Sequence, residues 1–327
     1  MDQTKLERLA LGMARDHVWM EGISFPTTIL GDLKSLQDEF VARDEDVIVI
    51  SYPKSGTNWI KEIINLIRTR GDPSWVQSVV SWERTPWLES SFGLELIKKQ
   101  KDARFYTSHL PVQFFPKTFF TSKAKCVYIV RNPRDILVSG YHFWKAVKVT
   151  KNPDSFEGYF EWFLQGNVPF GSWFDHVGGW LQMRGKENFL FISYEELHQD
   201  RRASVEKISQ FLGTKLSPEQ LDSVLKNVTF QAMKDNNMSN LSLLPDTLMD
   251  HSKACLMRKG IVGDWENHFT VAQSEAFDKV YQEKMAGIPP ASSRGSNGLT
   301  RLHRVHRLDF LRLLCSQRSK LYMMIDI

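Results

Sequence analysis

Residues 47–64, VIVISYPKSGTNWIKEII, constrain the fold more than any other stretch. Alternating β-branched residues pass through a Lys-Ser-Gly turn directly into an amphipathic helical pattern. Strand, loop and helix in that order make one unit of a parallel α/β sheet. The loop enters the helix at its N-terminus, where backbone N–H groups have no intrahelical acceptor and the helix dipole is positive. Gly56 lets the backbone approach a ligand, Ser55, Thr57 and Asn58 add side-chain donors, and Lys54 contributes a mobile point charge. An anion site is one reading of this loop, and a structural turn is the other.

The rest of the chain repeats the pattern. DVIVISY (46–52), RFYTSHL (104–110) and KCVYIVR (125–131) read as strands, and NFLFISYEEL (188–197) runs from strand into helix. NWIKEIINLIRTRG (58–71) reads as a helix stopped by Gly71. PRDILVSGYHFWKAV (133–147) reads as one opened by proline, and SVEKISQFLG (204–213) as one closed by glycine. The expectation is a single α/β domain over residues 1–286, with a central parallel sheet flanked by helices in a P-loop-like arrangement. Residues 235–264, rich in Asn, Ser, Met and Gly, read as a long loop and a mobile lid. Residues 287–327 form an atypical basic extension, disordered or helical. Its leucines at rough helical spacing fit an amphipathic surface helix, or an extension unrelated to the core fold.

Charge and cysteine usage narrow the function classes. The net charge of +4 is concentrated after Ala286, where seven Arg/Lys stand against two Asp; the first 286 residues carry about −1, so the charge does not argue for a nucleic-acid footprint across the main body, and no nucleic-acid partner is expected. Three widely spaced cysteines (Cys126, Cys255 and Cys315) without a CxxC pair fit a reducing compartment and argue against a disulfide framework or a zinc site. The N-terminus carries acidic residues and only a short apolar stretch, and no run approaches the ~18 apolar residues of a membrane span. A cytoplasmic protein without a transmembrane segment is expected. The 21 Phe and 10 Trp suit either an aromatic-lined cavity or an aromatic core.

Two further clusters bear on the anion. VYIVRNPRDILVSGYHFW (127–144) places Arg131 at a strand end and Ser139 two turns into the next helix. Ligands of parallel sheets sit outside strand carboxyl ends, so both residues can face the crevice of Lys54. MRKGIVGDWENHFT (257–270) adds Arg258, Lys259 and Gly260 as a second phosphate clamp. A nucleotide-triphosphate loop would read GxxxxGK[ST], with lysine after glycine, whereas here lysine precedes it and Trp59 follows closely.

These three clusters, in this order, resemble the cytosolic sulfotransferases from about Trp19 to Ala286. RDEDVI, SWERTPWLES, TSHLPVQFFPK, GSWFDH and MRKGIVGDW are most similar to the hydroxysteroid or bile-salt branch. The resemblance implies 3′-phosphoadenosine 5′-phosphosulfate as donor, adenosine 3′,5′-bisphosphate as product, no metal, and a hydrophobic alcohol as acceptor, a hydroxysteroid or bile-acid-like one. It implies that Lys54 to Trp59 hold the 5′-phosphosulfate, that Arg131, Ser139 and Arg258 to Gly260 hold the 3′-phosphate, and that Tyr194, Val228, Thr229, Phe230 and Met233 border the adenine. Lys54 would neutralise the leaving oxygen, Ser139 would restrain that lysine, and His109 in TSHLP would be the general base. Trp82, Trp87, Phe143 and Trp144 are acceptor-pocket candidates, with the lid around Leu241 to Leu248.

The chain departs from the family pattern at named places. Ser108 stands where phenol-preferring relatives carry lysine, and Val228 where relatives carry Ser or Thr, which removes one donor contact. Glu266 replaces the lysine that begins the family's dimer motif, although Thr270, Val271 and Glu275 remain, so a homodimer is possible but weakened. A P-loop small-molecule kinase, or a nucleotide-binding but poorly active family member, are the alternatives.

Overall fold

The computed structural model describes residues 18–286. A short hairpin of β1 (Val18–Met20) and β2 (Ile23–Phe25) precedes α1 (Leu33–Glu39) and β3 (Val47–Ser51). Helix α2 (Thr57–Arg68) follows β3, and three short helices, α3 (Ser74–Ser78), α4 (Ser81–Arg84) and α5 (Ser91–Lys99), lead to β4 (Phe105–Ser108). Strand β5 (Lys125–Val130) runs into α6 (Pro133–Trp144), and α7 (Phe156–Gln165) and α8 (Trp173–Leu181) lead to β6 (Phe189–Ser193). After β6 come α9 (Tyr194–Gln199), α10 (Arg201–Leu212), α11 (Pro218–Asn227), α12 (Phe230–Asp235) and α13 (Val271–Ala286).

Strands β3 to β6 form one parallel sheet in the order β4-β3-β5-β6. A parallel sheet must bury both faces. Successive side chains of β3 accordingly go to opposite cores: Ile48 and Ile50 join Tyr106, Tyr128 and the aromatic cluster around Trp180, while Val49 joins Ile60, Ile64 and Val205 beneath α2 and α10. The expected strands and helices are present with ends shifted by a few residues. The β1–β2 hairpin is an addition, closed by a two-residue loop in which Glu21 and Gly22 both have positive φ. No helix or strand occurs between Asp235 and Asp264, as the composition of that stretch suggests. The expected extension at 287–327 lies outside the described residues.

Candidate active site

All four strands of the parallel sheet end side by side, and the residue or loop after each one lines a single cavity of about 580 Å³. Strand β3 delivers the loop with Lys54 and Gly56, β4 delivers His109, β5 delivers Arg131, and β6 delivers Tyr194. Ligand sites of open parallel sheets are built in this way because rigid strand ends fix the directions of the groups beyond them.

One half of the cavity is cationic. Lys54 has a left-handed backbone (φ 69°), unusual for a residue with a side chain, and its ammonium lies 3.8 Å from the centre of the Phe143 ring. Burial, reinforced by the Arg131 and Arg258 charges, lowers its pKa to about 7. Arg131 binds the Lys54 carbonyl at 3.3 Å and the Ile261 carbonyl at 3.0 Å, and its guanidinium covers the Tyr194 ring at 4.2 Å. It therefore ties the β3 loop to the 258–263 segment. That segment is anchored to α6 by Asp135, which accepts from the Gly263 and Trp265 N–H groups at 2.8 and 3.0 Å. Arg258 and Lys259 both bind the Asp264 carboxylate; burial pushes its pKa up, but these hydrogen bonds hold it well below the usual range.

Two glycines make the approach possible. A Cβ on Gly56 (φ 104°) would lie 2.7 Å from the Tyr194 ring, and one on Gly260 (φ 67°) 2.1 Å from the Phe230 ring. Trp59 is held by a hydrogen bond from its Nε1 to the Val228 carbonyl at 2.9 Å and meets Tyr194 edge to face. A bed of rings, Trp59, Tyr194 and Phe230, thus adjoins the cations.

His109 sits where this half meets the other. Its Nδ1 donates to the Ser51 carbonyl at 2.6 Å, which fixes the tautomer and leaves Nε2 as the unprotonated nitrogen. Its backbone is fixed from both sides: the N–H donates to Glu89 Oε1 at 2.7 Å, and the carbonyl accepts from His176 Nε2 at 3.1 Å. His176 is oriented in turn by the Tyr128 hydroxyl at 2.9 Å. Burial lowers the His109 pKa to about 3, so the ring is neutral at neutral pH. Trp87 and Phe170 pack against it, with ring centres 4.4 and 5.3 Å away.

The second half is apolar. Ile29, Trp82, Phe143, Trp144, Val147, Val149 and Phe170 line it, and Leu241, Leu244, Leu248 and Met249 cover it from the 235–264 segment. That segment is pinned where Met249 pairs with Val147.

Most of the expected site residues meet in this cavity: Lys54, Gly56, Thr57, Asn58, Trp59, His109, Arg131, Ser139, Tyr194, Val228, Phe230, Met233, Arg258, Lys259 and Gly260, with Trp82, Trp87, Phe143 and Trp144 at the apolar end. Two stand outside its lining. The Thr229 hydroxyl caps α12, accepting from the Ala232 N–H at 3.2 Å. Ser55 is buried behind the loop, its Oγ without a hydrogen-bond partner. Lys61 and Glu89 also line the cavity and escaped the sequence reading, although a lysine inside the apolar run of α2, one turn after Thr57, was a usable signal. Among the described residues no cluster of His, Cys, Asp or Glu could hold a metal ion.

Comparison with known proteins is concordant. The profile described as "Sulfotransferase domain" matches residues 44–289. The chain is 57% identical over 279 residues to Sulfotransferase 2A1 of Macaca fascicularis, an alignment covering 85% of this chain and 98% of that one. It is 57% identical over 280 residues to the 3-beta-hydroxysteroid sulfotransferase of Cavia porcellus, covering 85% and 97%. Among solved structures, mouse sulfotransferase SULT7A1 complexed with PAP is 32% identical with a TM-score of 0.71, over 84% of this chain and 96% of that one.

Proposed function

The chain belongs to the sulfotransferase family, and from that membership we propose that it transfers a sulfonate group from 3′-phosphoadenosine 5′-phosphosulfate to the hydroxyl of a hydrophobic acceptor of the hydroxysteroid or bile-acid type. The observation that carries the reading is the convergence of Lys54, Arg131 and Arg258 on the cavity that also receives the unprotonated nitrogen of His109. Relatives named for hydroxysteroids and a neighbour solved with PAP support the acceptor class and the donor. The kinase alternative has no comparable support.

The residues present fit such a donor. Arg131 Nε is a buried polar group without a partner, which a bound anion would satisfy directly or through water. Gly56 and Gly260 leave open the spaces that a side chain would fill. When bound, the donor supplies a sulfonate already activated by its bond to phosphate. Lys54 and the N–H groups opening α2 would hold the 5′ end, Arg131, Ser139 and the Arg258–Gly260 segment the 3′-phosphate, and Trp59, Tyr194, Phe230 and Met233 the base. Lys54 would stabilise negative charge developing opposite the acceptor. His109, held by Ser51 in the tautomer with Nε2 free, would take the acceptor proton; an anion seated beside it would offset part of the burial that makes the imidazole a weak base. The apolar half would exclude water and orient the acceptor.

A radiolabelled transfer assay across 3-hydroxysteroids, bile acids and phenols tests the reading, alongside melting curves with adenosine 3′,5′-bisphosphate or with ATP and Mg²⁺. Transfer to alcohols with stabilisation by the bisphosphate is expected. Stabilisation by ATP and Mg²⁺ alone, without transfer, overturns it.

Two narrower proposals accompany this one. Glu266, Thr270, Val271 and Glu275 are all exposed, Val271 at 77%, and they would form the edge of a homodimer that Glu266 weakens by like-charge repulsion. Glu266→Lys is then expected to tighten the dimer in sedimentation at micromolar concentration, and an unchanged constant refutes the proposal. A cytoplasmic location accords with the unpaired thiols of Cys126 and Cys255, and no described helix is long and apolar enough to cross a membrane.

A further inference from the structure

Lys61 lines the cavity although it is only 1% exposed. An ammonium so buried needs a partner; Glu62 is engaged elsewhere, and Glu89 acts on it through charge without a hydrogen bond. Glu62 takes a two-pronged hydrogen bond from Arg84 at 2.7 and 3.0 Å. Glu89 spends Oε1 on the His109 N–H at 2.7 Å, and its Oε2 is buried without a hydrogen bond. What Lys61 does contact is the Trp87 ring, 5.1 Å from its ammonium. Burial draws its pKa down to about 7; Glu62 and Glu89 support the charged form and Arg84 opposes it.

The position decides what this cation can read. Trp87 carries the Lys61 ammonium near its ring and packs against the His109 imidazole at 4.4 Å between centres. The Lys61 and Lys54 charges both act on His109. A group placed beside the base meets the acceptor atom that reacts and its neighbours, not the far end of the molecule.

We propose that Lys61 is a specificity-determining residue that stabilises the ionised oxygen of acidic hydroxyl acceptors, phenols in particular, so that the protein sulfonates these as well as aliphatic alcohols. The proposal rests on the sulfotransferase reading above. A phenol ionises near pH 10, and an adjacent cation lowers such a value by about 1–3, which brings the phenolate within reach of neutral pH. An aliphatic alcohol is far too weak an acid to gain in this way and must pass its proton to His109 Nε2 during transfer. The phenol leaves its proton with solvent on entering and attacks with a lone pair already on oxygen. In both cases one O–S bond forms as the S–O bond to the donor phosphate breaks, and the electron pair leaves on that phosphate oxygen.

The test compares the full-length protein with Lys61→Met and Lys61→Gln on two steroids that differ in whether the hydroxyl-bearing ring is aromatic or saturated, and on a series of substituted phenols. Both variants are expected to lose more than tenfold in kcat/KM on the phenolic steroid and less than threefold on the saturated one. The loss should shrink as the phenol becomes more acidic and ionises unaided, a trend that a purely structural role for Lys61 would not produce. Equal losses on both steroids, or a loss independent of phenol acidity, overturn the proposal, as does a wild type that turns over only the saturated steroid. A wild type that sulfonates neither overturns the sulfotransferase reading with it.

Discussion

The cationic and apolar halves of the cavity are built by opposite means. Most of the cationic half stands on strand ends and helix starts, with Lys54 before α2, Arg131 before α6 and Tyr194 at the start of α9; only Arg258 to Gly260 come from the irregular 235–264 segment, and Arg131 and Asp135 tie that part down. Arg131 and Tyr194 are buried, Arg131 bonds the Lys54 and Ile261 carbonyls, and Gly56 and Gly260 sit where no side chain is admitted. The apolar half is assembled from separated segments, with Ile29 before α1, Phe170 between α7 and α8, and Leu241 to Met249 in a stretch without regular structure. Charge stabilisation weakens steeply when a group is misplaced by an ångström, so it needs rigid supports. Contact with an apolar acceptor is non-directional and tolerates varied surroundings. Donor chemistry can therefore stay fixed while acceptor choice changes through the loops.

The largest effect that would break this division is expected at the junction. His109→Ala should reduce transfer by roughly 10²–10⁴-fold, the span ordinarily contributed by a positioned base. Affinity for adenosine 3′,5′-bisphosphate, measured by titration calorimetry, should be unchanged, because His109 adjoins the cationic half without belonging to it. Near-normal turnover would mean that the proton goes elsewhere.

Next in size is a pH effect confined to the cationic half. Lys54 has its pKa lowered to about 7 and binds an anion only when protonated. Bisphosphate affinity should accordingly fall as pH rises above 7, approaching tenfold per pH unit, until the raised pKa of the bound state is reached. Phosphate groups, with a second pKa of about 6, are nearly ionised in that range and would gain charge rather than lose it, so a decline reports the lysine. In Lys54→Met the profile above pH 7 should be much flatter, and an equally steep one would assign the dependence to another group.

The same division explains what the sequence made legible. Lys54 to Trp59, Arg131 to Ser139 and Arg258 to Gly260 are local motifs, because a phosphate site is made from consecutive backbone groups and a nearby cation. The parallel sheet was equally plain, since β3, β5 and β6 are short apolar runs that each lead into a helix. The apolar half has no comparable signature: Phe170 or Ile29 reads as core until the loops are placed, because lining a pocket and filling a core require the same side chains. Glu89 was hidden for another reason, as its carboxylate acts on a backbone N–H twenty residues away. Lys61 was visible as a charge within a buried helix, but only the fold shows that its face turns toward the site.

A third, smaller effect should mirror the second. Leu244→Ala removes part of the covering over the apolar half, at a cost of about 0.8 kcal/mol for each buried methylene lost. The acceptor KM should rise roughly tenfold in steady-state assays while bisphosphate affinity stays constant. If both constants move together, the 235–264 segment couples the halves, through Ile261 near its end, whose carbonyl accepts from Arg131.

The smallest expected effect concerns Val228, where the family resemblance implies a hydroxyl-bearing residue. Its side chain is fully buried in one cluster with Ile60, Ile64 and Val224, and its carbonyl accepts from Trp59 Nε1. A threonine there would place its hydroxyl in apolar surroundings at the end of α11, where the Val224 carbonyl offers a local acceptor. Two outcomes follow from where that hydroxyl turns. If it bonds within the helix end, bisphosphate affinity in Val228→Thr should change by less than about threefold and the melting temperature only slightly. If it reaches the nucleotide, the bond is worth about 0.5–1.5 kcal/mol, a gain of roughly twofold to tenfold. The burial of Val228 favours the first result, and the Thr229 hydroxyl cannot substitute for the missing one while it caps α12. A clear tightening in the calorimeter would show that the cationic half is less complete than its geometry suggests.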